Sequence, residues 1–461
     1  MPVVSIEDNR SLLFSKTLCD DDTAKAFTDL QGIANYPIKE LVKSNPKLLV
    51  FPHCLNDVRD KFDDSPICKL CGSVDSISKA EIESGNIMGF VSRNDTELRI
   101  RSRFAKSDKE DYFLHYMLQK VFSINVMDFK VGKDDESVFD FLLYLFPYML
   151  TRAVSQGVYK EYRTHEYNDD RVRGPIDVSR HIRYNIPFNG KIAYRTREFC
   201  FDNRITQLVR HTIEYIASSK QAAILTRNNE VKDCISKIRE ATPSYNLRSR
   251  YDIIVQNRVP VRNPYFMEYN KLQALCINIL LHKKLKFGQN KNEIYGVLFD
   301  GAWLWEEYLW TILKKKGFEH PENKTGLGRL HLFGKPQKYP RYPDFYSKEL
   351  ILDAKYKRLA YNDDEEKLNR CISRDDFHQI ISYLYITQEK NGGFIFPDAE
   401  HALGDTCRHT IGELNGYGGE ISLYGFPVPK EKDYSDYKSF CAAMENAEEK
   451  IISEVKGVWF K

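Results

Sequence analysis

Apolar positions recur along the chain with two different periods, and each period marks a kind of element. Between Ala302 and Lys316, Leu304, Tyr308 and Ile312 repeat at helical spacing, with Leu309 and Leu313 beside them. Lys314, Lys315 and Lys316 followed by Gly317 predict a cationic last turn and a stop for that helix. Pro343-Asp344-Phe345-Tyr346 and Glu349 to Lys355 read as two strands joined by a turn at Ser347-Lys348. A second helix is predicted from Ser373, where Ser373-Arg374-Asp375-Asp376 has the form of a capping box with Asp replacing Glu. Phe377, Ile380, Ile381 and Leu384 form its apolar side; Gly392-Gly393 are expected to end it before a buried strand at Phe394-Ile395-Phe396.

The same patterns divide the chain into three expected segments. Residues 1–95 mix short helical patterns with turns and read as an accessory domain, suited to target recognition or to zinc. Residues 96–290 are largely helical, broken by an Arg-rich region of short strands at 171–204. From 291 to 461 helix and strand alternate, so the predicted class is a multidomain α+β and α/β chain with a C-terminal α/β domain. The 461 residues, 42% hydrophobic and 13% aromatic, are enough to bury substantial cores. With 68 Lys and Arg against 65 Asp and Glu, any nucleic-acid surface has to be a local patch. The start lacks the pattern of a signal peptide, and no apolar run approaches the roughly 20 residues that span a bilayer. Phe139 to Leu150 contains Asp140 and Pro147 and suits a buried helix. Ten cysteines are too sparse for a disulfide scaffold, so a cytoplasmic protein with reduced thiols and no membrane contact is expected.

The hairpin carries the candidate chemistry. If Ser347-Lys348 is a two-residue turn, Asp344 lies diagonal to Asp353, and Asp353 and Lys355 share a face with Ile351. Two carboxylates then converge on one hard cation, Mg2+ or Mn2+, which keeps several waters; Lys355 is placed to orient water and offset phosphate charge. The alternative is a surface hairpin with ordinary charges. Pro343-Asp344, eight intervening residues, then Asp353-Ala354-Lys355 match the PD-(D/E)xK nuclease motif. Glu306 on the preceding helix is the kind of carboxylate such nucleases add as a ligand. Gln379 and Tyr383, one helical turn apart, resemble the Gln-x3-Tyr pair of the RecB-like branch.

A narrower resemblance follows. Leu304-Trp305-Glu306-Glu307-Tyr308-Leu309 is similar to the Leu-Phe-Glu-x-aromatic helix of the McrC family, with Trp305 in place of Phe. Leu352-Asp353-Ala354-Lys355-Tyr356-Lys357 resembles that family's Asp-x-Lys-Tyr-Lys core. Gly157 to Tyr162, Arg173-Gly174-Pro175-Ile176-Asp177 and Asp202-Asn203-Arg204 resemble its Gly-x3-Glu-Tyr, Arg-Gly-x-Ile-Asp and Asn-Arg signatures. The resemblance implies a Mg-dependent DNA endonuclease subunit of a McrBC-like phage-defence system, working with a McrB-like AAA+ GTPase ring. Asp344, Asp353 and Glu306 would be its metal ligands, Lys355 its water-positioning group, and Gln379 and Tyr383 would orient the site or contact DNA. Two other functions stay open: a noncatalytic nuclease-fold subunit that stimulates the motor, and a standalone structure-specific nuclease.

Weaker signals remain. Residues 171–210 hold nine Lys or Arg against three Asp or Glu, with Tyr184, Phe188, Tyr194 and Phe199 interspersed. Such a patch suits phosphates or the GTPase ring; an Arg173–Asp177 ion pair and a structural Arg204 are the favoured reading. Cys68-Lys69-Leu70-Cys71 has the spacing of a zinc knuckle, with His53 and Cys54 as candidate further ligands, although reduced structural thiols are favoured. Gly334-Lys335-Pro336 lacks the spacing and the Ser or Thr of a phosphate loop, so nucleotide hydrolysis is assigned to a partner.

Overall fold

A computed structural model describes residues 2–16, 23–45, 48–52, 64–73, 79–94, 96–105, 111–122, 136–219, 222–226, 228–261, 263–285, 294–321, 330–335, 338–358, 372–416, 418–434 and 436–456. It is a mixed α/β protein of two compact units, one made of Met1–Asp128 with Asn290–Lys461, the other of Phe129–Gln289. The first and last expected segments therefore share one unit. The reason is a strand pairing that local pattern does not reveal. Ile294–Asp300 runs antiparallel to Ile87–Arg93 and parallel to Leu48–Phe51, completing the five-stranded sheet that Val3–Glu7 and Thr96–Arg101 begin. The N-terminal residues, expected to be short helices and turns, are mainly strands, with short helices at Thr23–Gln31 and Ile38–Ser44.

The second sheet of this unit has the order Phe345–Tyr346, Ile351–Ala354, Asn391–Asp398, Glu420–Pro427, Arg408–Glu413. Its three central strands are parallel and its edge strands antiparallel. Parallel strands are covered on both faces, hence the nearly unbroken buried run Asn391–Asp398. The Arg374–Thr387 helix covers the face of Ile351, Phe394, Ile421 and Leu423 with Ile380, Tyr383 and Leu384. On the other face, Trp305 and Tyr308 of the Gly301–Leu313 helix pack edge-on against Phe426. Glu448 of the Tyr437–Lys456 helix accepts hydrogen bonds from Tyr116 (2.9 Å) and Tyr308 (3.0 Å), and so ties three helices together.

Both predicted helices form. The first ends in a 3-10 turn at Lys314–Lys316 with Gly317 left-handed at φ 82°. The second starts at a capping box made by Ser373 and Asp376. Gly392 and Gly393 do not end it. Gln388, left-handed at φ 61°, caps it, and the two glycines lie inside the Asn391–Asp398 strand. A Cβ at Gly392 would stand 3.0 Å from Ile380, and one at Gly393 would stand 2.5 Å from the Tyr424 ring, so these glycines serve close packing.

In the second unit the helices Glu136–Ser155, Arg204–Ala217, Asn229–Ala241 and Met267–Leu285 surround an apolar core, and a long hairpin pairs Glu161–Asp169 with Ile192–Cys200. The Arg-Gly-x-Ile-Asp stretch lines that hairpin. Arg195 N donates to Pro175 O (3.0 Å), Asp177 N to Ala193 O (2.9 Å), and a Cβ at Gly174 would stand 2.1 Å from Arg195 O. Asp177 caps the Val178–Asn185 helix and pairs with Arg195 at 2.6 Å, so its ion-pair partner is Arg195, not the expected Arg173. Asn203 caps the Arg204–Ala217 helix and donates to the carbonyls of Tyr159, Cys200 and Phe201. Arg204 donates to Gln256 O and Val259 O, the structural role expected of it. No helix among the described residues is long and apolar enough to cross a membrane.

Candidate active site

The hairpin closes one residue later than expected. Ser347 N donates to Leu350 O at 3.0 Å and Leu350 N to Ser347 Oγ at 3.1 Å, which makes Lys348-Glu349 the turn. Phe345 therefore pairs with Leu352 and Tyr346 with Ile351. Continuing that register sets Asp344 against Asp353 rather than diagonal to it, and Asp344 Oδ2 accepts the Ala354 N–H at 2.7 Å. A shift of this kind moves the two acids closer together without turning either to the other face.

Asp353 is 2% exposed, and its Oδ2 stands 2.6 Å from Lys355 Nζ. Lys355 Nζ also lies 2.8 Å from Asp376 Oδ1, and Lys357 Nζ lies 3.3 Å from Asp376 Oδ2. Asp376 thus has two tasks: it closes the capping box of its helix and holds the lysine of the hairpin. The motif-based reading missed the second, because the only local signal at Asp376 is the cap.

Burial, then the neighbouring Asp353 charge, raises the Asp344 carboxyl well above the usual carboxylate range. Burial likewise raises Asp353, against the opposing pull of Lys355. Burial alone would lower the Lys355 ammonium, but Asp353 and Asp376 together raise it, so the lysine stays charged. For Asp376 burial is overcome by the bonds from Lys355 and Ser373, and its carboxyl is held below the ordinary range. Two enclosed carboxyls side by side need a countercharge for both to ionise.

Tyr383, 1% exposed, donates from its hydroxyl to Tyr342 O at 2.8 Å and receives a hydrogen bond from Gln379 Nε2 at 2.6 Å. The pair thereby holds the segment that enters the hairpin just before Asp344. Glu306 is tied to the same place through His320. Its Oε1 lies 3.5 Å from His320 Nε2, while His320 Nδ1 lies 2.6 Å from Asp344 O. His320, stacked on Phe345, belongs to no motif and was not foreseen. Among the described residues, Asp344, Asp353 and Glu306 do not bring three carboxylate oxygens within 4.8 Å of one another.

The donor set suits a hard cation. Asp353 Oδ2 is buried and, despite the nearby ammonium, has no donor in hydrogen-bond alignment among the described residues. Such oxygens are the ligands Mg2+ and Mn2+ take. At the other expected metal site the turn is replaced by a strand, Cys68–Cys71, in which Cys68 is buried and Cys71 exposed. Strand alternation sends these two side chains to opposite faces, unlike a knuckle. His53 and Cys54 lie outside the described residues. In the basic stretch Tyr184, Phe188 and Phe199 are exposed, whereas Tyr194 is buried.

The fold and the site define a mixed α/β protein whose paired carboxylates and lysine meet at the edge of a mixed five-stranded sheet. A family model described as McrBC 5-methylcytosine restriction system component matches residues 82–397, and the chain belongs to that family. No curated protein matches it. Among solved structures it is similar to a refined half-complex from a tetradecameric assembly of Thermococcus gammatolerans McrB AAA+ hexamers with bound McrC. That likeness has 15% identity and a TM-score of 0.48, covering 99% of this chain and 100% of the other. A cryo-EM structure of the McrBC complex from Thermococcus gammatolerans is also similar, with 15% identity and a TM-score of 0.33, over 68% of this chain and 87% of that one.

Proposed function

We propose that the chain is the nuclease subunit of a McrBC-type restriction system and hydrolyses DNA phosphodiesters with Mg2+ or Mn2+ on a PD-(D/E)xK domain. The supporting observation is the meeting of Asp344, Asp353 and Lys355 at one sheet edge, where the two carboxyls are enclosed and the lysine is clamped by Asp353 and Asp376. Asp344 and Asp353 would hold the cation, with Glu306 as the further carboxylate. When bound, the cation supplies Lewis-acid polarisation and lowers the pKa of water. Lys355 presents a permanent positive charge where phosphate charge develops, and Asp376 positions it. Gln379 and Tyr383 keep the Tyr342 carbonyl, and with it the approach to Asp344, in place. Lys355 supplies one countercharge to the two carboxyls, and a cation held by Asp344 and Asp353 would supply the rest.

Family membership and the McrC-like motifs also support a McrB-like AAA+ ring as partner, which would supply the nucleotide hydrolysis this sequence has no phosphate loop for. The test is cleavage of DNA with Mg2+ by wild type and Asp353→Asn, each with and without the AAA+ GTPase and GTP. Cleavage by the complete wild-type mixture alone is the expected result. Cutting without the partner would favour the standalone nuclease. Equal cutting by wild type and variant would place the active site elsewhere, and no cutting in any mixture that still hydrolyses GTP would leave the noncatalytic subunit.

A further inference from the structure

Away from the carboxylate site, the hairpin of the second unit gathers three residues of a different chemistry. His165 lies on the Glu161–Asp169 strand, and Glu198 and Cys200 lie on the Ile192–Cys200 strand. The register sets His165 opposite Thr196, Arg163 opposite Glu198 and Glu161 opposite Cys200. Directly opposed residues share a face and every second residue returns to it, so His165, Glu198 and Cys200 all project from the same side. One ligand atom from each lies within 4.8 Å of the other two, and His165 Nε2 is 3.1 Å from Cys200 Sγ. Among the described residues this is the one such trio of histidine, cysteine and acid side chains.

The glutamate is already oriented. Thr196 Oγ1 (2.7 Å) and Tyr167 OH (3.0 Å) both donate to Glu198 Oε1, which leaves Oε2 for another partner. Outer hydrogen bonds of this sort are how proteins aim a ligand at a metal. We propose that His165, Glu198 and Cys200 bind a zinc-class divalent ion, with water in the fourth tetrahedral position, and that this ion clips the two strands together. Imidazole with thiolate selects a borderline-soft ion rather than Mg2+. Bond lengths of about 2.3 Å to sulfur and 2.0–2.1 Å to nitrogen set those atoms roughly 3.5 Å apart, so the present pair has only to open by a few tenths of an ångström. On binding, Cys200 Sγ–H gives its proton to solvent and the S–metal bond takes its place. The clip would adjoin Asn203, which donates to Cys200 O at 3.1 Å while capping the next helix.

The test uses the full chain, stripped with a chelator, held in excess Mg2+ to occupy hard sites, and titrated with Co2+ as a spectroscopic probe. One equivalent should produce a thiolate-to-cobalt charge-transfer band that Zn2+ abolishes by displacement. The band should be lost in Cys200→Ser and in His165→Ala, weakened in Glu198→Gln and unchanged in Cys71→Ser. Hydrogen exchange along both strands should slow when Zn2+ is added to wild type and not when it is added to Cys200→Ser. Absence of the band, its survival in a folded Cys200→Ser, or its loss in Cys71→Ser would overturn the proposal.

Discussion

Asp353 and Lys355 form one ion pair, yet their replacement should change stability in opposite directions. Asp353 is 2% exposed, and burial outweighs the lysine in setting its protonation, so its charge is held at a net cost. In Asp353→Asn that charge goes while Lys355 keeps Asp376 at 2.8 Å, and nothing charged is stranded. Replacing a whole buried ion pair by neutral groups is commonly neutral or stabilising by about 1–4 kcal/mol, and since Lys355 keeps Asp376 the loss of Asp353 alone should follow the same rule, with about 1–2 kcal/mol of stabilisation. Lys355→Met does the reverse. It strands Asp353 beside Asp344 and leaves Asp376, besides its bond from Ser373, with the half-exposed Lys357 as its nearby cation, a loss expected to cost about 3–5 kcal/mol. The double variant should recover most of that loss. The tryptophans among the described residues (Trp303, Trp305 and Trp310) fall in the unit that contains the site, and residues 129–289 hold none, so tryptophan fluorescence during urea unfolding does not report the second unit. Mg2+ at about 100 times its dissociation constant should add about 2.7 kcal/mol to wild type and nothing to Asp353→Asn. If Asp353→Asn destabilises the unit as much as Lys355→Met, the ion pair is a net stabiliser and the reasoning fails.

Gly393→Ala should destabilise the same unit by about 2–3 kcal/mol, because the added Cβ would meet Ser422 O at 2.7 Å as well as the Tyr424 ring; the fluorescence-monitored urea midpoint measures it. In the second unit, His211 is fully buried, neither ring nitrogen has a hydrogen-bond partner among the described residues, and burial with the charges of Arg250 and Arg210 pulls it down to about 4 from an ordinary 6.5. Since the folded value is the lower one, the unfolded chain binds more protons between pH 6.5 and 4, so this contribution is complete above 6.5 and is lost as the pH falls. Hydrogen exchange of Arg204–Ala217 at pH 7 and pH 5 should show that loss in wild type and a smaller one in His211→Leu; equal losses would rule out His211 as the cause. Tyr383→Phe, which removes the bond to Tyr342 O, should lower the rate of DNA cleavage while DNA affinity stays near the wild-type value.

What was legible beforehand was local. The Gly301–Leu313 helix carries a full apolar period with a cationic, glycine-stopped end, and the Arg374–Thr387 helix carries its own cap, so both can be read within a few turns of chain. The hairpin was legible as a pair of strands but not in its register, since neither Ser347-Lys348 nor Lys348-Glu349 holds the Gly or Asn that marks a tight turn. Gly392-Gly393 misled because glycine serves a helix stop and a close strand contact equally well, and only the positions of Ile380 and Tyr424 distinguish them. The McrC-like motif residues were legible as a set, but Gly174 and Asn203 turn out to support the backbone of the hairpin and the cap of a helix.

The sequence by itself determined the chemistry on offer: two aspartates and a lysine at motif spacing, a helical Glu306, and a Gln379–Tyr383 pair one turn apart. Side-chain types and short-range periods are properties of the covalent chain, and no folding is needed to state them. Only the tertiary structure decided that Asp344 stands against Asp353, that Asp376 shares Lys355, that His320 joins Glu306 to the site, and that Ile294–Asp300 belongs to the N-terminal sheet. Each of those facts depends on groups remote in sequence coming together and losing water, and desolvation belongs to the assembled surroundings rather than to any residue alone.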